Sequence, residues 1–200
     1  MAARQERGQS CGSDTDKRRE MMYNMRDFPP HNKSEEKEVF SLALRIVKYP
    51  DPVLRKKTEP VTVFDDALRT LVDEMTIVMK DDDGVGLAAP QVGISEKIAV
   101  VCVNDKRYVL INPVITASEG EQTDEEGCLS FPGIFGTIKR AEYVVVECQD
   151  ERGEHKKYEA TGFAARAFQH EIEHLNGKLL IDHFSPMKRE MIRKKLLRKK

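Results

Sequence analysis

A series of β-branched segments, with helical patterns on either side, is the feature that most constrains the fold of this chain. Segments Ile98–Val103, 108–111 and 143–148 have strand length and are rich in Val and Ile. The polar turn sequence at 150–153 predicts a hairpin that returns through 155–159. Because these strands are mostly sequential, the pattern predicts an α+β fold of mostly antiparallel strands, not a doubly wound sheet.

Three helices are predicted around these strands. Apolar residues recur at helical spacing through 68–79, and Asp65 is placed to cap that helix. The second helix is expected to begin at the cap residue Thr161 and to end before Gly177. The third is expected to begin after Ser185 and to carry the basic C-terminus.

Charge divides the chain into an extension and a folded part. Residues 1–42 are rich in charge and lack apolar periodicity, which predicts a disordered N-terminal extension. Residues 43–200 are sufficient for one domain, which includes a basic C-terminal helix over 186–200. The net charge of the chain is −1, so any contact with a polyanion is expected at 188–200, where eight Lys or Arg face one acid, Glu190.

The composition also indicates a cellular location. The chain has no apolar run of the roughly 20 residues that cross a bilayer, and its N-terminus lacks the apolar region of a signal peptide. Residues 1–20 hold five basic and four acidic side chains, so organellar import is not supported. Four sparse cysteines fit a reducing compartment. We therefore expect a soluble cytoplasmic protein without a membrane partner.

The sequence His-Glu-Ile-Glu-His at 170–174 is the strongest indication of chemistry. Within a helix, His170 and His174 lie on one face, while Glu171 points about 100° away from the first imidazole. Phe163 and Ala167 share that face, so the imidazoles are expected to be half-buried. The alternatives are a solvated polar helix, or buried histidines satisfied by hydrogen bonds. The pattern favours a metal pair, with Glu171 as general base and then acid.

A catalytic metal site needs a third protein ligand and an open position for water. The candidates are His183, His155, a carboxylate or a thiolate. Residue 180 is Leu180, so a third histidine at that spacing is missing, and His183 is expected to face solvent or cap a helix. Cys128 is the preferred ligand because Gly127 allows close backbone approach. The cysteines within β-branched segments are expected in the core: Cys102 and Cys148.

Three separated motifs occur in a recognisable order: Gly-Val-Gly-Leu-Ala-Ala-Pro-Gln at 84–91, Glu-Gly-Cys-Leu-Ser at 126–130 and Gln-His-Glu-Ile-Glu-His-Leu-Asn-Gly at 169–177. In order and spacing they resemble the peptide deformylases, over about residues 44–190. The implied reaction is hydrolysis of the N-formyl group from the initiator methionine of nascent polypeptides, which releases formate. A Cys-His-His set suits Fe²⁺, Zn²⁺ or Ni²⁺, and we expect Fe²⁺ in the cell.

The resemblance also implies the roles of individual residues. The acid/base is Glu171, and the developing oxyanion is held by the Gln91 side chain and the Leu129 N–H. The metal ligands are Cys128, His170 and His174. The methionine pocket is expected to include Val85, Phe163 and Ala167, with Gly86 and its neighbouring backbone as a wall, although all of these could simply be core residues.

Some features depart from the family pattern or allow two interpretations. Glu173 stands where Asp is usual, and Arg166 lies near the ligand face, where we expect it to extend to solvent. Glu126 is expected either to pair with Arg140 behind the ligands or to be an unrelated surface charge. The glycines at 84–86 lack the rest of a phosphate-binding motif, so no nucleotide cofactor is expected.

The basic C-terminal helix has two interpretations. By resemblance, it docks the enzyme at the ribosome near the exit tunnel, through salt-sensitive phosphate contacts; alternatively it is a solvated helix. Two other functions remain open at this stage. One is an endopeptidase, which would leave the 84–91 and 126–130 motifs without a role. The other is a noncatalytic RNA-binding module, which would need a fourth protein ligand to the metal.

Overall fold

The computed structural model describes residues 44–197, so the predicted disordered extension over 1–42 and residues 198–200 lie outside the described part of the chain. Within it, the predicted α+β fold with antiparallel strands is confirmed. The seven strands are β1 (Gly86–Ala88), β2 (Ile98–Val103), β3 (Lys106–Glu119), β4 (Gln122–Gly127), β5 (Phe135–Arg140), β6 (Tyr143–Gln149) and β7 (His155–Thr161). The helices are α1 (Asp66–Asp81), α2 (Gly162–Leu175) and α3 (Pro186–Leu197).

The three helices begin where their caps were predicted, although the caps differ in strength. The Asp65 carboxylate accepts a hydrogen bond from the Leu68 N–H at 3.0 Å, and the Ser185 hydroxyl accepts one from Lys188 at 3.3 Å. Thr161 occupies the N-cap of α2, but its hydroxyl makes no capping bond. Within residues 44–197, no helix is both long and apolar enough to cross a membrane.

Five strands form an antiparallel sheet in the order β1-β2-β3-β6-β7, and β4 pairs with β5 in a separate hairpin. Strand β2 is buried along its whole length, since its alternate side chains face opposite layers. Ala99 and Val101 pack in the cluster that contains α2, whereas Ile98 and Val100 pack in the cluster that contains α1. The sheet therefore lies between the two helices.

The β4–β5 hairpin has its own apolar layer with the C-terminal part of the chain. Ile138 of β5 packs in one cluster with Phe131, Phe184 and Ile192. Phe184 lies directly against Gly136, where a Cβ would overlap its ring. Helix α3 thus packs against the hairpin through Ile192. The exposed side of α3 is basic.

Strands β1, β4 and β5 were not predicted from the sequence. Strand β4 has the polar sequence Gln-Thr-Asp-Glu-Glu-Gly, with no apolar alternation, because three of its side chains are exposed. Strand β1 has only three residues, all buried. The extended run from Leu44 to Val47 joins no strand, but the Val47 N–H donates to the Gln91 carbonyl at 2.7 Å.

Gly177→Ala is predicted to destabilise the fold by about 2–4 kcal/mol. Gly177 has φ +72°, and a Cβ there would lie 2.5 Å from the Arg55 carbonyl oxygen. Gly133→Ala is the matched control, because Gly133 has φ +69° with nothing within 4 Å of its Cβ position. It should cost only about 1–2 kcal/mol. Urea unfolding measures both, and equal losses would contradict the proposed overlap.

Candidate metal centre

The two histidines of α2 lie side by side, as their spacing predicts. The His170 and His174 ring centroids are 5.0 Å apart, and both side chains are buried. The Nε2 atom of His170 has no hydrogen-bond partner within residues 44–197. An imidazole nitrogen left bare in a buried site is available to a metal ion.

Cys128 meets the histidines from the separate hairpin. It follows directly after β4, and its Sγ lies 3.3 Å from His174 Nε2. One donor atom from each of Cys128, His170 and His174 lies within 4.8 Å of the other two. Ligand atoms of a tetrahedral Cys-His-His site are about 3.3–3.6 Å apart, so the donor set fits one ion. His155 and His183 are not in this group.

The surroundings of the Cys128 thiol favour its ionised form. Burial raises its pKa, but the neighbouring imidazoles of His174 and His170 outweigh burial and hold the pKa well below its usual value. Burial also raises the pKa of the Cys148 thiol, in this case to about 12. The two buried thiols therefore differ in their ability to bind a metal as thiolate. Cys102 and Cys148 are core residues, as predicted.

Glu171 is fully buried beside the ligands and lies against strand β1. A Cβ at Gly86 would overlap its carboxylate, so a glycine is required where β1 passes the helix. This contact brings together Gly86 and Glu171, two residues singled out from separate motifs.

Glu126 is bound by three side chains, all of them buried. Arg140 binds it through two hydrogen bonds, with Nε 2.5 Å from Oε1 and Nη2 2.9 Å from Oε2. His170 Nδ1 lies 2.9 Å from Glu126 Oε2, which orients the other ring nitrogen toward the ligand group. The pKa of Glu126 lies well below its usual value, because bonds from Arg140 and His170 outweigh burial. The predicted pairing of Glu126 with Arg140 is thus present.

The prediction for Arg166 was wrong. Its side chain is 1% exposed and does not reach solvent; instead Nη1 donates to Glu126 Oε1 at 2.6 Å and to the Ile138 carbonyl at 2.9 Å. A buried carboxylate 40 residues earlier in the chain provides the counter-charge. No local pattern around Arg166 indicates this partner.

Glu173 continues the network outward. Its carboxylate lies 3.0 Å from Arg140 Nη1, 2.5 Å from Lys178 Nζ and 2.7 Å from His183 Nε2. Burial raises the pKa of Glu173, but bonding to His183 and the charge of Arg140 outweigh it and lower the pKa to about 2. The predicted free or capping role of His183 is therefore replaced by a bond to Glu173.

Gln91 faces Cys128 with its amide held in a defined orientation. Its Oε1 accepts a hydrogen bond from the Ala88 N–H at 2.9 Å, so Nε2 points toward Cys128 Sγ at 3.5 Å and Ser130 Oγ at 3.3 Å. Sequence reasoning did not single out Ser130, although it ends the 126–130 motif. Leu129 is also buried, and its carbonyl accepts a bond from Lys48 Nζ.

The residues predicted for the methionine pocket belong to the apolar cluster between α2 and the sheet. Ala167 is fully buried between α2 and the sheet, and the half-buried side chains of Val85 and Phe163 pack against the same cluster. All three residues therefore take part in core packing. Val85 and Phe163 are partly exposed, so they could also contact a ligand.

The Cys128 thiol and two imidazoles, with a carboxylate beside them, form a group that could hold one metal ion, in an arrangement of the kind that metal-dependent hydrolases use. The comparisons with known proteins agree. A family model described as polypeptide deformylase matches residues 43–190. This chain belongs to the polypeptide deformylase family, as the three motifs predicted, and the family consists of metal-dependent enzymes.

Individual relatives match over nearly their whole length. The peptide deformylase of Thermodesulfovibrio yellowstonii is 51% identical over 162 residues, which cover 78% of this chain and 98% of the relative. The peptide deformylase of Thermotoga maritima is 50% identical over 154 residues, with 76% and 94% covered. The crystal structure of a peptide deformylase from Legionella pneumophila has a TM-score of 0.75 at 44% identity, covering 78% of this chain and 94% of that one.

Cys128→Ser is predicted to abolish binding of one divalent ion per chain at micromolar concentration, because the soft thiolate ligand is lost. Cys148→Ser is the matched control: its thiol is buried, but outside the ligand group, so metal content should match the wild type. Metal analysis after dialysis and the thiolate-to-cobalt absorption of the Co²⁺ form measure the difference. Full metal content in the Cys128 variant would contradict this site.

Proposed function

We propose that this chain hydrolyses the N-formyl group of the N-terminal formylmethionine of nascent polypeptides at one divalent ion held by Cys128, His170 and His174. The observation that supports this most is the convergence of these three donors from two separate elements beside Glu171. When bound, a divalent ion would polarise the formyl carbonyl and lower the pKa of water. Fe²⁺ is the ion we propose in the cell, with Zn²⁺ and Ni²⁺ as alternatives that the same donors accept.

Glu171 is proposed to move the proton. Its carboxylate takes a proton from the attacking water and delivers it to the amine that leaves, so one group acts first as base and then as acid. Burial against Gly86 limits the positions that the carboxylate can adopt, which keeps it close to the reacting atoms.

Gln91 and Leu129 are proposed to stabilise the negative charge that develops on the formyl oxygen. The Gln91 Nε2 is pre-oriented because the other end of its amide is held by the Ala88 N–H. Donors that are already in place need no reorganisation during the reaction, and this is what makes them effective. The Leu129 N–H, next to the ligand Cys128, is the second proposed donor.

The proposed pocket for the methionine side chain includes Val85 and Phe163 as contacts, Ala167 packed behind them, and Gly86 on the substrate side. These residues belong to β1 and α2 or precede them directly, so the pocket and the proton-transferring carboxylate share one wall. An apolar pocket of this kind recognises an unbranched thioether side chain by shape and burial.

The proposed location is the bacterial cytoplasm, where formylated chains emerge from ribosomes. Helix α3 is proposed to bind ribosomal phosphates, since its exposed surface is basic: Lys188, Arg189, Arg193, Lys194 and Lys195. The rest of the chain has no excess of positive charge that would compete for such contacts.

Release of formate from an N-formylmethionyl tripeptide tests the proposed activity. Glu171→Gln should still hold one metal ion per chain but lose at least about 100-fold in kcat, because the amide cannot accept the proton. The control is Glu125→Gln, an exposed carboxylate of β4 close to the motif in sequence, which should keep wild-type turnover. Normal turnover of the Glu171 variant would exclude the proton role, and cleavage of an internal peptide bond in place of formate release would identify an endopeptidase.

Replacing Arg193, Lys194 and Lys195 by Gln should weaken cosedimentation with ribosomes by on the order of tenfold in about 0.1 M salt, because phosphate contacts are lost. The binding of the wild-type protein should also fall steeply with salt. A triple Gln variant at Lys56, Lys57 and Lys106, exposed positions outside α3, is the control with the same change in charge. Equal ribosome binding by the two variants would count against α3 as the contact.

A further inference from the structure

Arg166 is a buried cation that uses only one of its three guanidinium nitrogens in hydrogen bonds to the described residues. Only its Nη1 donates to another described residue, while Nε and Nη2 are buried without a partner within residues 44–197. A buried charge with unmet donors costs stability relative to an apolar side chain of similar size. The guanidinium therefore contributes something that an apolar or polar neutral residue would not.

The two arginines and the two carboxylates of the network around Arg166 cancel in charge. Arg140 lies between the carboxylates of Glu126 and Glu173, and Arg166 binds Glu126 a second time. Two positive and two negative charges cancel. Lys178 also contacts Glu173, but its side chain is 46% exposed, so its charge is largely screened by solvent.

The ligand side of the site then carries two negative charges. Cys128 contributes one as a thiolate and Glu171 contributes one as a carboxylate, while His170 and His174 bind metals as neutral imidazoles. A divalent ion neutralises this sum. Without Arg166, the ligand side and the buried ion-pair network together would carry three negative charges. A divalent ion would then leave one negative charge uncompensated in a buried site.

Glu126 provides the path by which Arg166 acts. One of its carboxylate oxygens bonds Arg166 Nη1 and the other bonds His170 Nδ1. A carboxylate behind a ligating imidazole makes that imidazole a stronger donor, and a second cation on the carboxylate moderates this effect. Arg166 thus limits how much negative charge reaches the ion.

We propose that Arg166 is a positioning residue that fixes the charge of the metal site so that a divalent ion neutralises it. It acts through Glu126 without touching the ion or the substrate. This inference rests on the metal centre proposed above. Arg166 weakens divalent binding relative to a neutral residue, and in exchange it keeps the bound ion electron-poor, which favours polarisation of a carbonyl.

Co²⁺ affinity, measured by chelator competition at fixed pH and read from thiolate-to-cobalt absorption, tests the proposal without using activity. Arg166→Gln keeps an N–H donor but removes the charge, so Co²⁺ should bind on the order of tenfold more tightly. Arg166→Lys keeps the charge and should stay within about threefold of the wild type. Arg55→Gln removes an arginine from a partly exposed pair with Asp182 outside the metal centre, and should leave the affinity unchanged.

The direction of the change separates charge from packing. Weaker or unchanged Co²⁺ binding in folded Arg166→Gln would overturn the proposal, because loss of support alone loosens the ligands. A tenfold gain in Arg166→Lys would overturn it as well, and this variant decides the question if the Gln variant does not fold. If wild-type protein shows no thiolate-to-cobalt band, the proposed metal centre fails, and this inference fails with it.

Discussion

The organisation of the site depends on one buried carboxylate. Glu126 belongs to the β4–β5 hairpin, yet its hydrogen-bond partners lie on β5 and on α2, the helix that packs on the five-stranded sheet. An ionised group without water must have its acceptor positions filled, so the hairpin can dock against the helix in only one arrangement. That arrangement brings Cys128, two residues later in the chain, beside the histidines.

The remaining parts of the fold hold helix α2 and the β4–β5 hairpin in place. Helix α2 is fixed by its apolar face against the sheet, where Phe168 and Ile172 pack with residues of β2 and β6. The hairpin is also held by Phe184, which lies against Gly136, the residue paired with Glu126, and leads into α3. The three proposed metal ligands therefore come from two separately packed units that a buried ionic network joins.

Much of this could be predicted from the sequence, because the relevant signals are local. β-Branching identified β2, part of β3 and β6, the turn at 150–153 indicated β7, and helical spacing placed both histidines and Glu171 on α2. Strand β4 was missed because its side chains are polar and it borders only one other strand. Arg166 was misplaced because its counter-charge lies 40 residues away and belongs to that same missed strand. The pairing of Glu126 with Arg140 could be proposed, but only the folded structure shows that both are buried.

The position of Cys128 also has a consequence for the durability of the protein. Cys128 and His174 are 46 residues apart in the chain, so an ion that binds both works as a reversible cross-link between hairpin and helix. The strength of this link differs from that of a disulfide, because it depends on the concentration of free ion. Free ion at a thousandfold excess over its Kd raises the free energy of unfolding by about 4 kcal/mol. An ion bound there would make the heat tolerance of this enzyme depend on the metal supply of its host as well as on its apolar core.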